Sequence, residues 1–241
     1  TARARPLNVP SRPDLPGAVV FDFDGVIVNS EPLHLRTFQG TLADLGIALS
    51  DRDYYDKYLG YTDEEAFQAA AADAGRPLSA ADLRALIDRK TALMPELLAE
   101  PGILFPDAAD CIARLAAHVP LAIASGAIRE EIELVLDGAG LRRYFRTIVA
   151  AGETPRSKPA PDPYARAVDV LREQGDLPAN GRPSVAIEDS HWGLLSAARA
   201  GLRTVAVTSS YGADELTTAD RVVARLAELT IEDIWTLMQR A

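Results

Sequence analysis

Apolar positions follow two different periods along this chain, and the order of the periods divides it. The run 18–23, "AVVFDF", is short and almost continuously apolar, which predicts a buried first strand. From there to about residue 100 no convincing strand follows. Leu35, Phe38, Leu42 and Leu45 recur at helical spacing in a helix predicted over 33–46, with Pro32 suited to its start and Gly46 to its end. Shorter helices are predicted over 51–58 and 62–74. A longer one is predicted over 79–99, opened by Ser79 as N-cap and carrying Leu83, Leu86, Ile87, Leu93, Leu97 and Leu98. After "EPGILFPD" and a helical pattern at 107–117, strand-length apolar runs at 121–125, 147–151, 184–188 and 204–207 alternate with helices predicted over 129–138, 162–174 and 191–200. That βαβα rhythm implies a parallel sheet covered by helices on both faces. The expected architecture is α/β, a Rossmann-like parallel sheet core with an inserted α-helical cap. The core is expected to comprise 18–31 and 105–241, and the cap 32–104.

Composition narrows the function classes. The 241 residues, 48% hydrophobic and 25% charged, suffice for a sizeable core in one large domain or one domain with an insert. A formal net charge of −10 argues against nucleic acid or an anionic membrane as partner, and an anionic substrate would need a cation or well-placed basic groups. Cys111 is the single cysteine, so an internal disulfide framework is excluded. It falls in a helical pattern, which predicts a buried structural thiol, and the composition fits a reducing, cytoplasmic compartment. No apolar run approaches the roughly 18 to 20 residues that span a bilayer. The basic, proline-rich start, 1–17, has no apolar h-region and is expected to be a flexible arm. A monomer is expected.

Polar residues collect where the predicted strands end. The first strand runs into Asp22-Phe23-Asp24, the second into Ser125-Gly126, and the 184–188 strand into Glu188-Asp189. Ligands of open parallel sheets bind at that carboxyl edge. Lys158, in "SKPAPDPY", follows the 147–151 strand on a loop that its prolines would keep stiff and extended. Four carboxylates at one edge repel one another unless some are protonated or a cation sits among them. Carboxylate ligands with positions left for phosphate oxygens suit Mg²⁺. A carboxylate can itself attack phosphorus. Ser125, with the amides of Gly126 and Ala127 at a helix start, would seat a phosphate.

"FDFDGVIVNSE", a later Ser-Gly, a Lys-Pro-x-Pro loop and "IEDS" together resemble the four motifs of the haloacid dehalogenase superfamily, in order, over residues 18 to about 225. The helical insert is similar to the cap of the group containing β-phosphoglucomutase and many sugar-phosphate and phosphoglycolate phosphatases. The resemblance implies that Asp22 is the nucleophile and a metal ligand. It makes Asp24 the general acid/base, with its carbonyl on the metal, and has Ser125 and Lys158 hold the phosphate. Asp189, helped by Glu188, would complete the Mg²⁺ site. The second acid, Asp24, is absent from dehalogenases proper and points to phosphate chemistry. The implied activity is a Mg²⁺-dependent phosphatase acting on a small phosphorylated metabolite. A phosphomutase of the β-phosphoglucomutase type and a non-catalytic phosphate-binding module are the alternatives.

Other signals fare differently. An EF-hand loop starting at Asp22 fails, since Gly25 is its fourth residue and Leu33 its twelfth. Ser125 lacks the first glycine of a nucleophile elbow. His34, His118 and His191 have no zinc spacing. His34 occupies the place of a substrate-facing histidine in related sugar-phosphate enzymes. His118 is expected at the surface, His191 beside the Asp189 turn, and Trp192 and Trp235 in packing positions. Gly60 and Thr62 are expected at a helix start over the substrate. Lys90 and Arg129 are candidate contacts for a second anionic group, and equally solvated helix charges. Related mutases carry a basic residue where this chain has Asp63, which would repel a second phosphate.

Overall fold

Six short strands form one fully parallel sheet in the order β3-β2-β1-β4-β5-β6. They are Val19–Phe21 (β1), Leu121–Ala124 (β2), Phe145–Val149 (β3), Val185–Glu188 (β4), Arg203–Val207 (β5) and Arg221–Val223 (β6). The structure is a computed structural model and describes residues 17–58, 61–100, 102–178 and 181–239. Nearly all of the arm expected at 1–17, and Gly60, lie outside them. The chain divides into two compact units, Asn29–Ile103 and the remainder.

In the sheet unit the central strands are mostly apolar because both faces are covered; every residue of β1, β2 and β4 is buried. On one face Val20, Ala122, Ala124 and Ala186 pack against Tyr164, Ala167 and Leu171 of the helix Asp162–Glu173 and Ala197 of the helix His191–Arg199. The three alanines leave room for the Tyr164 ring, which is wholly buried. Helices α5 (Ala108–Ala116), α6 (Arg129–Gly138), α7 (Asp162–Glu173), α8 (His191–Arg199) and α9 (Ile231–Gln239) complete this unit. β1 lies between β2 and β4, pairing Phe21 with Ile123 on one side and Ile187 on the other. Strand order reverses at β1, so the ends of β1, β2 and β4 lie side by side.

The other unit is helical: α1 (Glu31–Ala43), α2 (Asp51–Asp53) running into a π-helical turn (Tyr54–Tyr58), α3 (Asp63–Asp73) and α4 (Ala80–Leu98). Thr62 and Ser79 each close a capping box at the start of their helix, the Ser79 one with Asp82 in the place of glutamate. Leu35, Phe38, Leu42, Tyr54, Phe67 and Leu86 form its separate core, with the Phe38 and Phe67 rings 4.7 Å apart. The buried stripe of α4 runs Leu83, Leu86, Lys90, Met94, Leu98, so a lysine occupies a core position.

Three expectations need correction. β3 begins at Phe145 and ends at Val149, because the backbone turns through Gly152, in the left-handed region at φ 77°. β6 and α9 had no counterpart in the sequence reading. Trp192 and Trp235 do not pack inside; they are 59% and 40% exposed, and the Trp235 ring meets exposed His118 edge-on at 5.8 Å. Cys111 is buried, and burial pushes its thiol up to about 11. Among the described residues no helix is long and apolar enough to cross a membrane.

Candidate active site

Asp22 is the first residue past the paired rungs of β1, its N–H bonded to the Ile187 carbonyl at 2.9 Å. The chain then turns back on itself. Ile27 and Val28 both donate their N–H to the Phe23 carbonyl, and Gly25 donates to the Val28 carbonyl at 2.8 Å. Gly25 sits at φ 73°, and a Cβ there would lie 1.9 Å from Asp189 Oδ2. Glycine is therefore required twice, for conformation and for close approach of the Asp189 carboxylate. The turn leaves Asp22 buried and Asp24 half-buried.

Asp22, Glu188 and Asp189 are all buried, and each places one carboxylate oxygen within 4.8 Å of the other two. Lys158 is the cation among them. Its Nζ donates to Glu188 Oε1 at 2.6 Å and lies 2.8 Å from Asp22 Oδ1. The second contact is an ion pair without hydrogen-bond alignment, so Asp22 Oδ1 remains a buried oxygen with no aligned donor. Burial pushes Asp22 up to about 7; Lys158 opposes this, while Glu188 and Asp24 add to it. Burial alone would lower Lys158, but Asp22 and Glu188 together raise it. Both partners of one ion pair are thus raised, since one ammonium cannot compensate several desolvated carboxylates. Asp189 is raised well above the usual range by burial, and then by the charges of Glu188 and Asp22.

Glu188 differs from its neighbours. Burial works against its charge, yet Lys158 and hydrogen bonds from Tyr164 and Ser190 hold its carboxyl below the usual value. Oε1 accepts from Lys158 and from the Tyr164 hydroxyl at 2.9 Å. Oε2 accepts from the Asp189 and Ser190 amides and the Ser190 hydroxyl at 2.9–3.1 Å. Helix α8 passes so near that a Cβ on Gly193 would fall 1.7 Å from Glu188 Oε1. Tyr164, Ser190 and Gly193 were not singled out from sequence; the only trace of the last was a glycine in the first turn of a helix.

The Lys158 loop is turned instead of extended. Ala160 N–H bonds to the Ser157 carbonyl, Arg156 pairs with Asp162, and the Ser196 hydroxyl and the Arg199 guanidinium of α8 hold the Ala160 and Pro159 carbonyls. The Lys158–Pro159 bond is cis. Lys158 Nζ lies 4.9 Å from the centroid of the Tyr164 ring, a cation–π contact.

Ser125 is buried at the end of β2, and Gly126 is exposed beside it with open space where a side chain would stand. α6 begins at Arg129, so Ser125–Ala127 is a turn ahead of the helix instead of the helix start expected. The Ala127 amide donates to Ser125 Oγ at 3.0 Å. Arg129 is committed elsewhere, to Glu153 through Nε and Nη2 at 2.6 and 2.8 Å, to the Ile148 carbonyl and to Glu133. These bonds make it a strut between α6 and the end of β3.

In the helical unit, Lys90 is buried with Nζ 2.6 Å from Asp63 Oδ1 and 2.9 Å from His34 Nδ1, and 4.7 Å from the centroid of the Phe38 ring. The solvated-charge reading of Lys90 is therefore set aside: a buried ammonium needs such partners. The pairing also accounts for the acid at position 63, which neutralises that ammonium.

The carboxylate set fits a hard divalent cation. Its donors are all oxygen, its negative charge exceeds what Lys158 offsets, and one oxygen has no aligned donor. Comparison with known proteins identifies the family. Residues 16–201 match the family model described as haloacid dehalogenase-like hydrolase. The chain is 35% identical to protein CbbY of Cereibacter sphaeroides over 88% of this chain and 93% of that one. It is 27% identical to hexitol phosphatase B of Escherichia coli, over 90% and 96%. Crystallised mutant CbbY from Rhodobacter sphaeroides, in complex with xylulose-(1,5)bisphosphate, superposes with a TM-score of 0.73 at 29% identity, covering 91% of this chain and 99% of that one. A parallel sheet reversing at β1, with acids at the ends of β1 and β4 and a lysine between them, together with a family match over most of its length, places this chain in the haloacid dehalogenase-like hydrolase family.

Proposed function

We propose that this enzyme, a phosphoric monoester hydrolase, is Mg²⁺-dependent, acts on a small sugar or polyol phosphate, and works through a phosphoryl group carried on Asp22. One observation carries the reading: Asp22 Oδ1 is buried among carboxylates with only the unaligned ammonium of Lys158 beside it. A carboxylate kept so poorly solvated is a competent nucleophile once its charge is offset. Likeness to CbbY and to hexitol phosphatase B supports the substrate class.

In this reading an Asp22 oxygen attacks phosphorus, and the bond to the leaving oxygen breaks as Asp24 hands that oxygen a proton. Asp24, now ionised, takes a proton from water, whose oxygen attacks the same phosphorus as the bond from phosphorus to the Asp22 oxygen breaks. Inorganic phosphate departs and both carboxylates return to their starting states. Two carboxylates are needed because one must be ionised to attack while the other is protonated to donate. Lys158 offsets charge on the transferring group and is itself held in place by Glu188. Ser125 and the Gly126 amide hold the phosphoryl oxygens. Asp22, Asp189 and the Asp24 carbonyl, with Glu188 beside them, would hold Mg²⁺, which supplies charge neutralisation for the phosphoryl group when bound. His34 and Lys90 enter as a polar cluster of the helical unit, with no chemical step assigned.

The test is phosphate release from a panel of pentose, hexose and hexitol phosphates, phosphoglycolate and p-nitrophenyl phosphate. Each is assayed with Mg²⁺ or EDTA, for wild type and Asp22→Asn. Release that needs Mg²⁺ and vanishes in Asp22→Asn is expected. Release that persists in Asp22→Asn would overturn the covalent role of Asp22.

A further inference from the structure

The loop leaving β5 sets three consecutive side chains against the turn after β1, the Asp189 carboxylate and the start of α8. The Ser209 hydroxyl donates to the Gly25 carbonyl, in the turn after β1. The Ser210 hydroxyl donates to Asp189 Oδ2 at 2.5 Å. The Tyr211 ring packs on the His191 ring at the start of α8, centroids 4.7 Å apart. Behind the loop, Leu194, Ala206 and Leu216 form a small buried cluster against which Tyr211 rests. The loop is thus anchored, and its hydroxyls are aimed at the two segments that carry the acids.

Resting on the metal-dependent phosphatase reading above, we propose that Ser210 is a positioning residue for the metal site, orienting the Asp189 carboxylate so that Oδ1 faces the cation. Glu188 is fixed by five donors, and Asp22 lies against Lys158. For the Asp189 carboxylate the fixed surroundings are the backbone of Gly25, against which Oδ2 is packed, and the Ser210 hydroxyl bonded to that same oxygen. A carboxylate free to rotate about its terminal torsion would present either oxygen, or neither, to an incoming cation. The hydroxyl removes that freedom and satisfies the oxygen turned away. Partners of this kind behind metal ligands commonly govern affinity by a factor of about 10–100.

The experiment measures Mg²⁺ binding to EDTA-stripped, dialysed protein by titration calorimetry, with Mn²⁺ binding by electron paramagnetic resonance as a second readout. Neither requires turnover. Wild type, Ser210→Ala and Ser210→Thr are compared. The expected result is Kd raised about 10-fold or more in Ser210→Ala and restored to within about 3-fold of wild type in Ser210→Thr, which keeps the hydroxyl. Equal affinity in wild type and Ser210→Ala overturns the proposal, as does Ser210→Thr binding as weakly as Ser210→Ala. Should the alanine variant fail to fold, Ser210→Cys, similar in size and a weak donor, takes its place, and wild-type affinity there is equally fatal. Wild type that binds neither ion fails the metal-dependent reading as a whole, and is told apart because all variants are then alike.

Discussion

Replacing Asp22 by asparagine should stabilise the metal-free protein while abolishing turnover. The wild-type carboxyl is raised from 3.8 to about 7, chiefly by burial. A group bound more tightly to its proton in the folded state contributes stability that is intact below the unfolded value and is lost as pH rises through the folded one. The loss therefore accumulates between about pH 4 and pH 7 and is level above. Three units at about 1.4 kcal/mol each give about 4 kcal/mol as the cost of keeping Asp22 ionised in the folded, metal-free chain. Asparagine carries no charge and gives up the contact with Lys158, which keeps Glu188 as partner. A net gain of about 2–4 kcal/mol remains, or about 5–10 °C in Tm for a chain of this size.

Thermal melts in EDTA across pH 4 to 9 make the comparison. The variant should track wild type near pH 4, draw ahead as pH rises, and hold a constant lead above pH 7. Adding Mg²⁺ should raise wild type more than the variant and close the gap, because the cation occupies the place the protons vacate. An Asp22→Asn protein that melts at or below wild type in EDTA at pH 8 would refute the reasoning. It would mean that Lys158 outweighs burial and that the ionised cluster is stable on its own.

Three further substitutions, with a fourth as control, separate the roles around the cluster. Lys158→Met leaves Asp22 and Glu188 buried without their cation, so a loss of about 3–5 kcal/mol is expected in chemical denaturation, with loss of phosphate release. Gly25→Ala should cost more than the left-handed backbone penalty of about 1 kcal/mol and weaken Mg²⁺ binding, since its methyl would displace Asp189. Gly75→Ala, at φ 69° with no neighbour within 4 Å, is the control that should show the backbone penalty alone and unchanged turnover. Tyr164→Phe removes one donor from Glu188 and should lower stability by about 1–2 kcal/mol and kcat by about 10-fold, with KM little changed. A fall confined to KM would place Tyr164 in substrate binding instead.

Much of the fold was legible because burial on both faces writes itself into sequence. β2 is wholly apolar, and β4 and β5 are nearly wholly buried around the apolar stretches Val185–Ile187 and Val205–Val207, so the limits of all three fall within a residue of those expected. β6 escaped because "RVV" is three residues long at the sheet edge, with one residue exposed, and leaves no periodic trace. α9 does carry an apolar face, Ile231, Ile234, Leu237 and Met238; it went unread because the βα rhythm had already ended. Trp192 and Trp235 show the limit of composition, since a large ring in a helix predicts burial only if its face of the helix is covered.

The site divides along the same line. Asp22, Glu188, Asp189 and Ser125 could be read because each ends a strand or follows directly on one, and a strand end in a parallel sheet has a known address. Ser210, Tyr164 and Gly193 could not, and Lys90 was marked only as a candidate anion contact or a solvated charge, because the meaning of each depends on which residue distant in sequence it meets. Lys90 looks like any helix lysine until Asp63 and His34 are seen around it, and then its place in an apolar stripe explains why an acid stands at position 63. Arg129 carries the opposite lesson. A cation one turn from Ser125 invites a role with substrate, yet Glu153 holds it on both arms and fixes the end of β3. Charge in a sequence marks where compensation must occur, and only the fold says whether a substrate, a metal or another side chain supplies it.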